Sequence, residues 1–434
     1  MFKILKDNLP MYLVWLVMLA CISVGVATTN ILSIAALIIF AVFLVLSPTI
    51  NSCVLLFGIM PFANIFKYQA DATSFFTICE LLLVVVSIFK TRKIKGKFII
   101  SLLLLATYMF ATDVPNTNVF GIIKILVGFY LIYLLTSNAT KNDVINIGYM
   151  LSGSTILMLL LSMNQAYYRY VEPYLVDLNY VLDSTGHATD IMRMGGISGD
   201  PNYCGLLVLM SVALLCTLYY FKRIKIEFWF FISFLIPLGF FTYSKSYFLC
   251  IAALVVFLIL FVLLPKHTGW GILSIVAVVV IVSMATSGKI EVINVILDRF
   301  LNEDFSTGRA ELNNIYLNYI WDTPFTLFFG EGISAYKFEG ISKTVHNIYI
   351  EALFKFGVFG VAIYLVTLFN SISFTKTKKI KKKIANYFPL MFIAISYFAL
   401  AGITMYEFPF YLAIAILAIN FNSLCEKEPK YVVS

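Results

Sequence analysis

An all-α, polytopic membrane protein is the fold class this sequence predicts, and three observations predict it. Of its 434 residues, 61% are hydrophobic and only 12% are charged. The mean hydropathy is +0.92. Apolar runs long enough to cross about 30 Å of hydrocarbon recur along the chain, with short polar or basic breaks between them. A water-soluble domain of ordinary kind is excluded, because so little polar surface cannot cover so much apolar side chain.

The runs give about 14 transmembrane helices. They are expected at 11–28, 31–46, 52–66, 74–90, 98–112, 119–136, 145–163, 203–221, 227–243, 247–264, 270–285, 347–369, 387–405 and 408–424. The first run follows Lys3 and Lys6 as a signal peptide would. Its apolar stretch continues to Ala27 and feeds into a second span, so an uncleaved helix is expected. Two large external loops separate the groups of spans. The organisation is then 1–163 (spans 1 to 7), 164–202 (external loop), 203–285 (spans 8 to 11), 286–346 (large external loop) and 347–434 (spans 12 to 14 with a cytoplasmic tail).

Basic residues set the orientation. With the amino terminus inside, the cytoplasmic breaks hold 20 Lys or Arg and the external breaks 9. The basic runs Lys90 to Lys97 and Lys376 to Lys383 then read as topology signals and not as nucleic-acid sites. All 7 cysteines fall in spans or near the inner tail, so no external disulfide framework is available. The 3 histidines are scattered, with no metal-ligand spacing, and neither a protein-held metal nor another cofactor is expected.

The external loops hold the polar chemistry. The first is rich in tyrosine (Tyr167, Tyr168, Tyr170, Tyr174, Tyr180) and acids, a mixture suited either to sugar faces and hydroxyls or to an interfacial aromatic belt. It ends in Arg193 and the turn Gly199-Asp200-Pro201-Asn202, where Asp and Asn suit capping and proline suits a helix start. Ser244-Lys245-Ser246 forms a short external connection that holds the lysine near the headgroup plane, where it is either an anion contact or a snorkelling cation. The second loop carries Arg299, the turn Thr307-Gly308-Arg309, an amphipathic stretch through Trp321, then Pro324 to Gly332, and finally His346-Asn347 at the mouth of a span. Arg309 can grip two phosphate oxygens or pair with Asp304 or Glu311. His346, with an ordinary pKa near 6.5, is suited to accept a hydroxyl proton. Asn347, Glu351 and Lys355 follow one another along one helix face, and Glu351 and Lys355 are expected to neutralise each other within the bundle.

In this order, Gly195 to Gly205, Phe241 to Leu249, Ser306 to Asn314 and Thr344 to Gly360 resemble the bacterial O-antigen polymerase and ligase superfamily, the Wzy and WaaL types. Lys245 departs from the arginine usual in that family's turn, which keeps the charge and loses the bidentate grip. The resemblance implies a metal-independent glycosyltransferase of the bacterial plasma membrane, with its site on the external or periplasmic face. It would polymerise undecaprenyl-diphosphate-linked oligosaccharide repeat units into O-antigen, capsule or exopolysaccharide. Its partners would be those lipid-linked glycans and the bilayer, with a flippase and a chain-length regulator as candidate protein partners and no nucleic acid. Lys245 and Arg309 would stabilise the departing diphosphate and His346 would serve the acceptor, while Arg193, Asp200, Asn202, Arg299 and Asn347 would bind substrate. Ligation of a finished glycan to a lipid or other acceptor is the alternative within the superfamily. A lipid-linked oligosaccharide flippase or exporter is the alternative outside it, although no internal repeat is visible.

Overall fold

The computed structural model describes residues 8–69, 72–90, 94–113, 118–174, 180–182, 188–192, 194–195, 200–220, 223–257, 309–335, 341, 345 and 347–372. Among them the chain is helical apart from one two-stranded hairpin. The helices are α1 (Leu9–Ala27), α2 (Ile31–Leu46), α3 (Thr49–Ile59), α4 (Phe75–Lys90), α5 (Gly96–Thr112), α6 (Val119–Asn138), α7 (Lys141–Met163), α8 (Gln165–Val171), α9 (Pro201–Tyr220), α10 (Ile226–Phe240), α11 (Lys245–Phe257), α12 (Arg309–Asp322), α13 (Pro324–Phe329) and α14 (Ile348–Ser371). Each expected span that falls on described residues coincides with one of these helices, or with its described part. The spans expected at 270–285, 387–405 and 408–424 lie outside the described residues. Helices α8, α12 and α13 are additional to the expected spans: α8 follows α7, and α12 and α13 precede α14.

Five described helices, α1, α6, α7, α9 and α14, are long and apolar enough to cross a membrane, and α2, α3, α5 and α10 are shorter apolar helices beside them. Their outer faces are greasy: Leu16, Ile38, Val45, Phe89, Leu103 and Trp229 are all exposed. Such faces are stable against hydrocarbon and not against water, so the chain is a multi-pass membrane protein.

Local signals in the sequence explain where the helices start and stop. Thr140 and Asp143 form a reciprocal capping box at the start of α7. The side chain of Asn118 accepts from the Gly121 N–H to cap α6. At the other end of α2, the Lys90 ammonium donates to the carbonyls of Leu44, Val45 and Ser47 at 2.7, 3.0 and 2.9 Å. A cation there answers both the orphan carbonyls and the negative end of the helix dipole.

Interhelical hydrogen bonds fix which ends lie together. Thr367 of α14 donates to the Ser101 carbonyl of α5, and Thr136 of α6 to the Ser371 carbonyl. The Thr155 and Ser211 hydroxyls of α7 and α9 lie 3.4 Å apart, and Gly148 near the start of α7 packs on Leu218 near the end of α9. These pairings, with the short α6–α7 connection, run α5 and α7 in one direction and α6, α9 and α14 in the other. The ends marked by Asp113, Asn118, Met163 and Pro201 therefore lie on one side of the bundle, and Gly96, Asn138, Lys141 and Ser371 on the opposite side.

The expectation of an unbroken span at 347–369 is corrected by the structure. Gly357 interrupts α14 with φ 60° and ψ −175°. A break of this kind leaves the carbonyls of Phe354, Lys355 and Phe356 without their helical partners. Each has a donor from elsewhere: the Glu331 N–H reaches Phe354 at 2.8 Å, the Gly332 N–H reaches Lys355 at 3.0 Å, and the Tyr108 hydroxyl reaches Phe356 at 2.8 Å. The Tyr108 ring packs against Gly360, and its hydroxyl also lies 2.9 Å from the Phe329 carbonyl. Beyond the break, α14 packs on α5 and α6; before it, Ile350 and Phe354 join Tyr316, Ile320 and Val345 in a separate small core with α12. Hydropathy does not register the division, because the apolar composition continues through Gly357.

The break needs glycine on both sides of the contact. A Cβ on Gly357 would lie 2.5 Å from the Phe328 carbonyl carbon, and one on Gly330, itself at φ 78°, would lie 2.3 Å from the Lys355 oxygen. Gly357→Ala is therefore expected to destabilise the protein by about 2–4 kcal/mol, combining left-handed strain with overpacking. Gly96→Ala is the matched control, since a Cβ there meets nothing within 4 Å. Thermal melts in detergent should show a large loss for the first variant and none for the second.

The expected pair is formed: Lys355 Nζ lies 2.7 Å from Glu351 Oε1, and Lys355 is only 1% exposed. It stands on the Asn347 side of the break, in the part of α14 that packs on α12. Lys355→Met alone should cost about 3 kcal/mol by stranding a largely buried carboxylate, whereas Glu351→Gln with Lys355→Met should recover most of it. A double-mutant cycle on melting temperature reads the difference.

Candidate functional site

Two turns emerge on the Asp113 side of the bundle, and each belongs to a motif singled out in the sequence. The first joins the start of α9 to the connection between α10 and α11. Asp200 caps α9: its side chain accepts from the Asn202 N–H at 2.7 Å and its carbonyl from the Cys204 N–H at 2.9 Å. Asn202 in turn accepts from the Ser244 hydroxyl at 2.8 Å. Ser244 caps α11 through the Tyr247 N–H, and the Met194 N–H bonds to the Phe241 carbonyl. Asp200, Asn202 and Lys245, scattered in sequence, are thus brought into one hydrogen-bonded corner. Tyr243 supports it in a left-handed conformation at φ 48°, which is costly for a non-glycine residue and typical of functional turns.

Lys245 is the first residue of α11 and is 9% exposed. A cation at the positive end of a helix works against the dipole by about 0.3–1 kcal/mol, while the free N–H groups there favour an anion. Arg309 is the first described residue of α12. Lys245 therefore occupies a helix start, where its charge and the backbone can act on one anionic group. The Arg309 side chain, Arg193, Arg299 and His346 lie outside the described residues.

The second turn is Gly330-Glu331-Gly332, with Gly332 at φ 88°. Asp113 at the end of α5 clamps the segment that follows: it accepts from the Ser334 N–H at 2.6 Å, the Ser334 hydroxyl at 2.8 Å and the Asn118 N–H at 2.5 Å. The Glu331 carboxylate accepts from the Tyr319 hydroxyl at 3.0 Å and from Thr326 through the same oxygen, Oε1. Burial holds the Tyr319 phenol above the ordinary tyrosine range, and its bond to Glu331 pushes it the same way, so Tyr319 remains a donor at neutral pH.

Asn347 caps α14, accepting from the Tyr349 and Ile350 N–H groups at 3.0 and 3.4 Å. It thereby fixes the chain direction at the position that follows His346. Buried Tyr316 of α12 supports the same corner: it stacks edge-on against Phe354 at 5.1 Å and lies beside the Val345 backbone. Asn347 stands about 14 Å along the helix from the break at Gly357. Ser334 on Asp113 and Asn347 at the start of α14 are thus each held by hydrogen bonds.

Sequence reasoning passed over Asp113, Tyr108, Tyr316 and Glu331. The first two act on segments more than two hundred residues away, and no local pattern signals such a partner. The position of Glu331 between two glycines was a usable signal, since an acid held in a left-handed turn is seldom incidental. Among the described residues, no group of three or more His, Cys, Asp or Glu side chains converges as metal ligands would.

No curated protein and no solved structure matches the chain. A family model does match, over about a third of its length, and the match takes in the Ser244-Lys245 turn, α12, the Gly330–Gly332 turn and Asn347. Residues 230–365 match the model of the family described as O-antigen ligase, Wzy_C, and that segment is similar to the Wzy/WaaL superfamily.

Proposed function

We propose that this membrane glycosyltransferase polymerises lipid-linked repeat units, transferring a glycan from a polyprenyl diphosphate to a hydroxyl of the next unit. The observation that carries the reading is the family match across Lys245, Arg309 and Asn347, together with the emergence of the Lys245 corner and the Asn347 segment on one side of the bundle. That side is read as the external face, from the excess of 20 basic residues over 9 on the opposite breaks.

In the transfer, the acceptor oxygen bonds to the anomeric carbon while the bond from that carbon to the diphosphate oxygen breaks. The diphosphate departs with the electron pair, and the acceptor proton passes to His346 and then to solvent. Lys245, at a helix start, and Arg309 stabilise the charge that develops on the leaving oxygen. Arg193 and Arg299 add to the basic ring, and Asp200, Asn202 and Asn347 hold the turns that bind substrate. With cations in this role, the reaction has no need of a metal. Ligation is the second reading, favoured by the description of the matching family as O-antigen ligase.

Purified protein given a synthetic lipid-diphosphate repeat unit alone, with chelator and without nucleotide sugar, should produce a ladder of lengthening glycans. Product only after a separate acceptor is added means ligation, and a strict need for magnesium or manganese means that the diphosphate is held through an ion. Donor binding and turnover in nanodiscs should separate the residue roles. Lys245→Arg should retain activity, whereas Lys245→Ala and Arg309→Ala should each lose about 100-fold, as when an oxyanion donor is removed. His346→Ala should bind donor normally, with slower turnover and an altered pH profile. Near-normal turnover by both Arg309→Ala and His346→Ala would overturn the roles given to these residues, whereas no turnover by the wild type would return the chain to the exporter reading.

A further inference from the structure

Glu331 is held more tightly than a surface acid needs to be. Its backbone N–H is fixed on the Phe354 carbonyl, and the flanking glycines cannot take a side chain: a Cβ on Gly330 would meet the Lys355 carbonyl and one on Gly332 the Thr112 carbonyl. The turn cannot slide on α14 or α5. The side chain is fixed as well, because Tyr319 and Thr326 both donate to Oε1. Glu331 is half-buried, and no hydrogen bond among the described residues reaches Oε2. One carboxylate oxygen is thus fully engaged in orientation while the other is presented.

We propose that Glu331 binds ring hydroxyls of the acceptor sugar through Oε2, an assignment that rests on the glycosyl-transfer reading above. The charge is what selects this role. A purely structural acceptor for Tyr319 and Thr326 could be a glutamine, whose Oε1 takes the same two donors. A carboxylate repels a diphosphate and attracts hydroxyl donors, so it suits the acceptor side of a site whose donor is anionic. Its place in the chain agrees with this, since it lies on the clamped segment that leads to Asn347, whereas Lys245 lies on the separate corner built on α9 and α11. Two opposite charges on two independently anchored turns sort two substrates of different charge. Glu331 orients the acceptor and transfers no proton.

The test is glycan binding, measured apart from turnover. Full-length protein in nanodiscs is titrated with oligosaccharides released by mild acid from the producing cell's own lipid-linked glycan, with tyrosine and tryptophan fluorescence as the readout. The wild type should bind, and Glu331→Gln should weaken binding by about tenfold or more without a change in melting temperature, because the amide keeps Oε1 and puts a donor where the acceptor Oε2 stood. In the turnover assay the same variant should raise the acceptor KM far more than it lowers kcat. Tyr319→Phe, which leaves the carboxylate in place but less firmly held, should weaken binding by a smaller factor; it serves as the reading if Glu331→Gln does not fold. Equal binding by wild type and Glu331→Gln, unchanged binding by a sole surviving Tyr319→Phe, or no binding by the wild type overturns the proposal. A wild type that binds oligosaccharide yet never turns over the lipid-linked unit counts against the transferase reading, while the binding arm still judges Glu331.

Discussion

Three carbonyl groups at the break in α14 constrain much of what surrounds them. In an apolar packing, an unanswered carbonyl costs several kcal/mol, more than a helix cap contributes, and no water is at hand to supply the bond. The donors that answer come from the Gly330–Gly332 turn and from Tyr108 of α5. Because those donors are mostly backbone, the turn must lie flat against α14, and only glycine allows so close an approach. The position of the turn then sets that of α13 before it and of the Asp113-clamped segment after it. The small core of Tyr316, Ile320, Val345, Ile350 and Phe354 takes one face of α14 before the break, while Ile348 and Phe356 stay in the main core.

Charge is distributed over this frame with a clear division. The described candidate cation, Lys245, opens a helix, where it adds to the backbone's preference for anions, and the acids Asp113 and Glu331 are placed where hydroxyl and N–H donors already converge. Lys245 in particular breaks the local rule that favours acids at helix starts. Such departures from local consistency are retained where a site needs them. The Asp200–Asn202–Ser244 chain shows how the first turn withstands that repulsion: each member caps a helix or holds a residue that does.

Much of the bundle was legible in the sequence, because span existence depends on continuous apolar composition and that signal is local. Ile31–Leu46 was read to the residue, and other ends differ by a few positions where capping and not hydropathy decides them, as at Thr140. The pairing of Glu351 with Lys355 was also local and was found. What could not be read was anything that depends on two distant segments meeting. Gly357 looks like any glycine in a membrane helix until Gly330 is set against it, and Asp113 looks like a loop acid until Ser334 reaches it. The Asp200–Lys245 corner lies between these cases: both turns were recognised and their separate capping chemistry was clear, but the hydrogen bond that joins them was not.

Among the described residues, every group that closes the break in α14 precedes it in the chain. Tyr108, Glu331 and Gly332 are all synthesised before Phe354, Lys355 and Phe356. When the discontinuous helix leaves the ribosome, the donors for its severed carbonyls already exist, so the segment need not wait in the insertion machinery for a later partner. The order of residues therefore doubles as an order of assembly. The small core of α12 and the first half of α14 can likewise close as soon as α14 is made, since all its described members lie between Leu312 and Phe354.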